Sequence, residues 1–338
     1  MPRTDRRVTL AKLLALLVVL AIVLAAIVPA STSGLLIAHP NPARDYGDAV
    51  SRAKRRQIAD DRVAARGGRT ILLAHGARTA RAVVLLHGVT NSPLQFRALA
   101  SQLFESGDNV YVPRLPHHGE QGHDAGVLGQ LTAEELRASG DSAVDVAAGL
   151  GDTVVVLGLS AGGNIAAWAA QYRRDVARVV IIAPAIEMAS LPGFVDMLVV
   201  NLSLRAPSLT HREITDSSWV DREEGWNSRG IAETFRLGTA VRKAAAATPP
   251  AVREITLLLN ASDRTIKAAP ALAMVRSWAR HGARVSAYEL PDSLRLPHDV
   301  VDLREVGSNP GVVYPVIVTL THGERPAPWL RSVPITTK

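Results

Sequence analysis

A serine between glycines carries the clearest chemical signal in this 338-residue chain. Residues 158–162 read Gly-Leu-Ser-Ala-Gly; an apolar strand-type run at 153–157 precedes them and a small-residue helical run follows. A strand-to-helix turn of this kind, a nucleophile elbow, projects the serine hydroxyl, and its glycines avoid side-chain clashes. The pattern therefore predicts that Ser160 is a nucleophile. The pentapeptide alone is weak evidence, and a glycine-rich turn without chemistry is the alternative.

A serine hydroxyl is a poor nucleophile at neutral pH, so it needs a histidine base and a carboxylate that orients the base. In folds with this elbow the order along the chain is serine, acid, histidine. Asp263 follows an apolar strand-type run at 254–260 and is the predicted acid, with a helix-capping aspartate as the alternative interpretation. Asp292 ranks second as the acid. Asp299 ranks third, because adjacency to a histidine in sequence does not place a carboxylate on its ring nitrogen.

Two histidines follow the last predicted strand, at 284–290: His298 and His322. His298 lies on a loop eight residues past that strand, where a fold with this elbow delivers its histidine. His322 lies in a C-terminal segment with no matching strand before it. His298 is therefore the predicted base.

The oxyanion formed during acyl transfer needs two backbone N–H donors. Ala161, the residue after the nucleophile, is predicted to supply one of them. The other is expected from the loop at 86–93, which reads Leu-His-Gly-Val-Thr-Asn-Ser-Pro. Gly88 lets the backbone turn there, and Val89 is the predicted second donor.

The elements that must position these residues alternate between strand and helix. Apolar strand-type runs occur at 69–74, 82–87, 109–112, 153–158, 178–183, 254–260 and 284–290. Helical patterns fill most of the gaps, and one starts with a capping box at residues 132–135. This alternation indicates an α/β fold with a mostly parallel central sheet and helices on both faces. It breaks at about 186–248, which is predicted to be a helical cap inserted over the site.

Three motifs together resemble the bacterial carboxylesterase and monoacylglycerol-lipase branch of the α/β-hydrolases. They read Val-Val-Leu-Leu-His-Gly-Val-Thr-Asn-Ser-Pro at 83–93, Val-Tyr-Val-Pro-Arg-Leu-Pro-His-His-Gly at 110–119 and Gly-Leu-Ser-Ala-Gly-Gly at 158–163. The resemblance covers roughly residues 70–300. It implies an α/β-hydrolase fold, an oxyanion hole at Val89 and Ala161, and a cap that shapes an acyl pocket. The cap is long for that branch, and the region after His298 departs from its usual amphipathic helix.

An uninterrupted apolar run occupies residues 13–28. Four basic residues precede it: Arg3, Arg6, Arg7 and Lys12. Because basic residues remain on the cytoplasmic side, the pattern predicts a single-pass membrane anchor with a cytoplasmic N-terminus and an extracytoplasmic catalytic domain. A cleaved signal peptide, which would give a secreted protein, is the alternative. The predicted division is 1–30 anchor or signal, 31–68 linker with a short helix, 69–185 and 249–338 hydrolase core, and 186–248 cap.

Composition removes several other classes of function. The chain has no cysteine, which excludes disulfide frameworks and thiolate metal sites. Its net charge of +7 comes mostly from dispersed arginine, and the one basic cluster, at 52–56, has no interleaved aromatic residues, so no nucleic-acid partner is expected. His117, His118 and His123 with Asp124 suggest a metal, but no carboxylate stands at ligand spacing on a shared helix, and neither a metal nor a cofactor is predicted.

These observations predict a serine hydrolase that cleaves hydrophobic carboxylic esters such as acyl-glycerols through an acyl-enzyme. An acyltransferase would use the same three residues and differ only in the group that accepts the acyl chain. A membrane-tethered binding protein that keeps the fold without catalysis is the alternative from another class.

Overall fold

The computed structural model of the protein describes residues 3–65, 67–122, 124–212 and 224–335, with side chains described from residue 11 onward. The α-helices are α1 (Arg3–Ile27), α2 (Tyr46–Asp60), α3 (Arg97–Glu105), α4 (Ala133–Leu150), α5 (Ala161–Tyr172), α6 (Gly193–Ser203), α7 (Ser228–Ala247), α8 (Ala268–Arg280) and α9 (Pro310–His322). The strands are β1 (Ile71–Leu73), β2 (Thr79–Leu86), β3 (Asn109–Val112), β4 (Gly151–Leu159), β5 (Arg178–Ile182), β6 (Thr210–His211), β7 (Trp226–Asn227), β8 (Glu254–Asn260), β9 (Arg284–Leu290) and β10 (Arg331–Ser332).

The central sheet has eight strands in the order β1-β3-β2-β4-β5-β8-β9-β10. The pairings from β3 through β9 are parallel, and the two edge strands β1 and β10 pair antiparallel. Strands β2, β4, β5 and β8 are rich in Val, Ile and Leu and are buried along most of their length, because helices cover both faces of a parallel sheet. The predicted fold class, an α/β-hydrolase fold with a mostly parallel sheet, is confirmed.

Most predicted elements lie where the sequence places them. Strands β3, β8 and β9 have the predicted bounds. Helix α4 starts with the predicted capping box, in which the Thr132 hydroxyl accepts from the Glu135 N–H and the Glu135 carboxylate accepts from the Thr132 N–H. The helical segment after the loop that carries Val89 begins as a 3₁₀ turn, Pro93–Phe96, and Pro93 lies in its first turn, where proline is tolerated.

Residues 31–68, predicted as a linker, pack on the core. Leu35 is fully buried, and its carbonyl accepts a 2.7 Å hydrogen bond from the indole N–H of Trp168. Aspartates of α4 accept from the backbone N–H groups of His39 and Asn41. Helix α2, the short helix expected at about 45–60, also contacts α4. Because α4 supplies acceptors for their backbone, these residues hold a fixed path along the core.

The region between β5 and β8 contains α6, the two short strands β6 and β7, and α7; residues 213–223 of the predicted cap lie outside the described residues. Helix α7 packs on α5, whereas α6 leaves apolar side chains such as Phe194 and Met197 exposed. The side chains of Asn201 and Arg205, at the end of α6, donate to the last carbonyls of α1.

The predicted membrane segment is not supported. In the part of the chain that the structure describes, no helix combines the length and the apolar character needed to cross a bilayer.

Candidate active site

Ser160 occupies the turn between β4 and α5 in a conformation that non-glycine residues rarely adopt, with φ 57° and ψ −113°. Three backbone hydrogen bonds hold this strained turn. The Ser160 N–H donates to the Ile182 carbonyl at 3.0 Å, and the Ser160 carbonyl accepts from the N–H groups of Asn164 and Ala185. The backbone on either side thus fixes a conformation that costs free energy by itself.

The glycines around Ser160 are required by close approach of backbone. A Cβ at residue 158 would lie 2.0 Å from the Gly162 carbonyl oxygen, and a Cβ at residue 162 would lie 1.9 Å from the Leu86 carbonyl oxygen. No side chain fits at either position without moving backbone atoms. The spacing that singled out the motif in the sequence therefore has a steric cause in the structure.

Asp263 and His298 form a hydrogen-bonded pair at the carboxyl end of the sheet. The Asp263 Oδ2 and His298 Nδ1 atoms are 2.7 Å apart. The other carboxylate oxygen accepts from the backbone N–H groups of Thr265 and Ile266. Burial acts to raise the pKa of Asp263, but the hydrogen bond and charge of His298 and the two N–H donors outweigh it and hold the pKa below its ordinary value. The carboxylate is thus kept ionised beside the imidazole.

Asn260, at the end of β8, fixes the histidine loop and was missed in the sequence. Its side-chain amide donates to the carbonyls of Leu296 and Pro297, at 3.1 and 2.8 Å. Arg295, in the same loop, adopts a left-handed conformation with φ 49°, which ends the short 3₁₀ turn at 292–294. An asparagine at the end of a strand was the available signal, but its partners lie 36 and 37 residues away.

The two predicted oxyanion donors both have free backbone N–H groups. Among the described residues, neither the Val89 N–H nor the Ala161 N–H donates to a protein acceptor. Ala161 begins α5, and the first N–H groups of a helix have no partner within the helix. The Val89 N–H belongs to a loop whose next residue, Thr90, has φ 66°.

A cavity of about 280 Å³ lies between the nucleophile, the histidine loop and the loop that carries Val89. Its lining includes Gly88, Val89, Ser160 and His298. The Nε2 atom of His298 is buried and has no hydrogen-bond partner among the described residues. The ring nitrogen that faces away from Asp263 is therefore available to a group in the cavity.

Other residues considered from the sequence have different partners. Asp292 is exposed and accepts from the Ser262 hydroxyl, and Asp299 points to the loop that carries Val89, so neither contacts the His298 ring. His322 ends α9 and pairs with Asp108. The acid and the base that the structure brings together are therefore the two predicted first, Asp263 and His298.

His118 is buried and makes a T-shaped ring contact with His87, and the Nε2 atom of His117 lies 3.3 Å from a Glu135 carboxylate oxygen. Burial lowers the pKa of His87 to about 4 and that of His118 well below its ordinary value. His123 lies outside the described residues. Two of the histidines considered as metal ligands, His117 and His118, thus contact a carboxylate and another imidazole respectively.

Comparison with known proteins agrees with this geometry. Residues 83–312 match the Alpha/beta hydrolase family, a stretch that contains the elbow, Asp263 and His298. The chain belongs to the α/β-hydrolase family. This assignment confirms the resemblance seen in the three sequence motifs.

The relatives within this family include lipolytic enzymes. A thermostable monoacylglycerol lipase from Bacillus sp. (strain H-257) is 29% identical over 109 residues, which are 32% of this chain and 42% of that protein. The match therefore spans less than half of the relative's length.

Solved structures share the fold at lower identity. A structure of the metagenome-derived lipolytic enzymes LipS and LipT superposes with a TM-score of 0.60 at 17% identity, covering 77% of this chain and 100% of that one. The monoacylglycerol lipase of Paleococcus ferrophilus gives a TM-score of 0.55 at 16% identity, covering 75% and 98%. A soluble variant of monoglyceride lipase from Saccharomyces cerevisiae gives 0.56 at 12% identity, covering 75% and 91%.

Proposed function

We propose that this α/β-hydrolase cleaves carboxylic esters with Ser160 as nucleophile, His298 as base and Asp263 as the carboxylate that orients it. The observation that carries the proposal is the 2.7 Å contact between Asp263 and His298 Nδ1. The opposite ring nitrogen is buried beside the cavity that Ser160 lines, and no described residue bonds to it. A histidine held this way presents a lone pair on Nε2, which is the form a general base needs.

In the proposed reaction the Ser160 Oγ attacks the ester carbonyl carbon and its proton passes to Nε2 of His298. The carbonyl oxygen becomes an anion, which the N–H groups of Val89 and Ala161 stabilise. When the carbon–oxygen bond breaks, His298 returns the proton to the leaving alcohol. Water then attacks the acyl-enzyme with the same base, releasing the carboxylic acid and restoring Ser160.

We propose hydrophobic esters, including acyl-glycerols, as the substrate class. Two observations support this choice: relatives within the family are monoacylglycerol lipases, and α6 presents exposed apolar side chains such as Phe194 on the region that follows β5. The cavity beside Ser160, at about 280 Å³, is at the small end of ligand pockets, so short acyl chains should fit without rearrangement.

Steady-state hydrolysis of p-nitrophenyl esters from acetate to palmitate, and of a monoacylglycerol, tests the proposal. Wild-type protein should turn over at least one of them, and Ser160→Ala should abolish turnover while leaving the melting temperature nearly unchanged. Addition of glycerol separates hydrolysis from acyl transfer, because a transferase would form acyl-glycerol in place of free acid. A folded wild-type protein with no turnover on any ester would instead support a binding role.

We also propose that the catalytic domain works beyond the cytoplasmic membrane. The basic residues ahead of the apolar run at 13–28, with only Arg44 soon after it, support export. Cell fractionation with N-terminal peptide mapping tests this, since a retained leader, a cleaved leader and an unexported protein give three different results.

A further inference from the structure

The carboxylate of Asp299 connects the histidine loop to the oxyanion loop. Its Oδ1 atom accepts from the backbone N–H groups of Val301 and Asp302, both at 3.0 Å, which fixes the side chain against its own loop. Its Oδ2 atom accepts from the side-chain amides of Gln95 at 2.5 Å and Asn91 at 3.1 Å. Four N–H donors therefore converge on one carboxylate, and the two amides come from a segment more than 200 residues away in sequence.

Gln95 connects Asp299 to Gly88, the residue that precedes Val89. Its Oε1 accepts from the Gly88 N–H at 2.9 Å, while its Nε2 donates to Asp299. Gly88 lies against the nucleophile, because a Cβ at this residue would be 3.6 Å from the Ser160 Cβ. Gln95 is only 2% exposed, so both bonds lie in the protein interior at the wall of the cavity.

Asn91 also holds the loop that carries Val89. Its Oδ1 accepts from the Ser92 N–H at 2.9 Å, and its own N–H donates to the Gly88 carbonyl. Between Gly88 and Asn91 stands Thr90, whose positive φ makes the loop strained for a non-glycine residue. A strained loop keeps its shape only when surrounding contacts fix it. Asp299 accepts the hydrogen bonds of the two amides that hold this loop, those of Gln95 and Asn91.

We infer that Asp299 is a positioning residue that holds the Val89 N–H in place for the oxyanion, acting through Gln95 and Asn91. The inference rests on the proposed function and deepens it. Asp299 borders the cavity that Ser160 lines, but its two oxygens are engaged by the four N–H donors, so it acts through the loops and not on the reacting atoms. This half-buried carboxylate connects the loop of the general base to the loop of the oxyanion donor.

Asp299→Asn tests the inference, because the asparagine side chain can accept on one side only. Its NH₂ group must face either the two backbone donors or the two side-chain amides, and donors then oppose donors. We expect kcat to fall about tenfold with KM nearly unchanged, a smaller loss than removal of an oxyanion donor itself. The rate at which a fluorophosphonate labels Ser160 should fall in parallel, since the phosphonyl oxygen occupies the same hole.

A reciprocal exchange distinguishes positioning from general damage. Gln95→Glu alone places two carboxylates against each other and should also slow turnover. When Gln95→Glu and Asp299→Asn are combined, the carboxylate at position 95 accepts from both the Gly88 N–H and the amide introduced at position 299, so kcat and labelling rate should recover part of the way toward wild type. The Asn91 amide still lacks its acceptor in this variant, which limits the recovery. Asp302→Asn is the matched control: Asp302 is a buried carboxylate of the same loop that pairs with Arg304, and its loss should lower the melting temperature without this selective fall in kcat.

Three outcomes would overturn the inference. The first is a kcat of Asp299→Asn within twofold of wild type, and the second is a double variant that is no faster than the slower single variant. Equal losses of kcat in Asp299→Asn and Asp302→Asn would likewise reduce Asp299 to a structural residue. Absence of labelling in the wild-type protein is a different failure, because it contradicts the proposed function itself.

Discussion

Two histidine–carboxylate pairs of nearly equal geometry lie at opposite ends of the same sheet. His298 and Asp263 are 2.7 Å apart at the carboxyl ends of the parallel strands, and His322 and Asp108 are 2.8 Å apart at the amino ends. In the first pair the carboxylate contacts Nδ1, and Nε2, at the cavity of Ser160, has no partner in the described part of the chain. In the second pair the carboxylate meets Nε2, and Asp108 is shared with Arg81.

The difference shows that a short histidine–aspartate contact is not by itself a catalytic feature. The pair at the carboxyl edge lies where ligands bind in open α/β sheets, beside an elbow that points a serine into a cavity. The pair at the amino edge holds the end of α9 against the residue that precedes β3 through a partly buried hydrogen bond, which is a structural contact between two elements. Position in the fold, together with the ring nitrogen that is engaged, decides the role.

The sharpest test replaces the two histidines one at a time. His298→Ala should lower kcat about 10⁴-fold or more, because the serine loses its base, with little change in melting temperature. His322→Ala should leave kcat within a fewfold of wild type and lower the melting temperature instead. The reverse pattern in ester hydrolysis kinetics would show that the base had been assigned to the wrong end of the sheet.

Asp263→Asn should be nearly as severe, with kcat lowered about 10³- to 10⁴-fold. The asparagine keeps the shape of the side chain but no longer supports the charged imidazole or selects its tautomer. Asp292→Asn is the matched control, since Asp292 lies on the same edge, is exposed and bonds only Ser262 among the partners described for its side chain. Equal losses in the two variants would remove Asp263 from its proposed role.

His87 provides a third environment, a buried imidazole whose ring bonds only backbone groups among the residues that the structure describes. Its Nδ1 donates to the Gly88 carbonyl and its Nε2 accepts from the Leu115 N–H, a pattern that requires the neutral ring. Because burial lowers its pKa from 6.5 to about 4, only the unfolded chain takes up this proton in that range. The free energy of unfolding should therefore fall by about 3 kcal/mol between pH 6.5 and 4 from this residue.

Chemical denaturation of wild type and His87→Gln across this pH range measures the effect. The variant should show a shallower fall in stability on acidification, with the remainder due to His118, whose pKa burial also lowers. Identical slopes for the two proteins would contradict a neutral, buried His87.

The smallest expected effect belongs to the amino-edge pair. Asp108→Asn should lower the free energy of unfolding by about 1–3 kcal/mol, because Arg81 and His322 lose a buried charged acceptor. Turnover should stay close to wild type after correction for folded protein. A loss of kcat that exceeds the loss of folded protein would show that this pair is coupled to the active site.

The sequence was sufficient for most elements and for the residues at their ends. Apolar runs such as that of β8 and the glycine spacing around Ser160 have local physical causes, so they can be predicted without coordinates. The helix α9 was not predicted, because Pro310 and the internal Pro315 interrupt a segment that is apolar nearly all round. Hydrophobic periodicity reveals a helix by the contrast between an apolar and a polar face, and this segment lacks a polar face.

The supporting contacts of the site could not be predicted in the same way. Gln95 and Asp299 are 204 residues apart, and nothing in their spacing relates them until the sheet brings the two loops together. The packing of the predicted linker has the same origin, since its N–H groups find acceptors on α4 only after α4 has docked. Local pattern predicts which residues end a strand, whereas long-range hydrogen bonds depend on the assembled fold.

The most direct test of the central claim is covalent labelling with a fluorophosphonate, followed by intact mass and peptide mapping of the wild type, His298→Ala and His322→Ala. We predict a single adduct on Ser160 in the wild type and in His322→Ala, formed at similar rates, and labelling of His298→Ala slower by several orders of magnitude. Equal labelling of all three proteins, or an adduct on another residue, would contradict the assignment of Ser160 and His298.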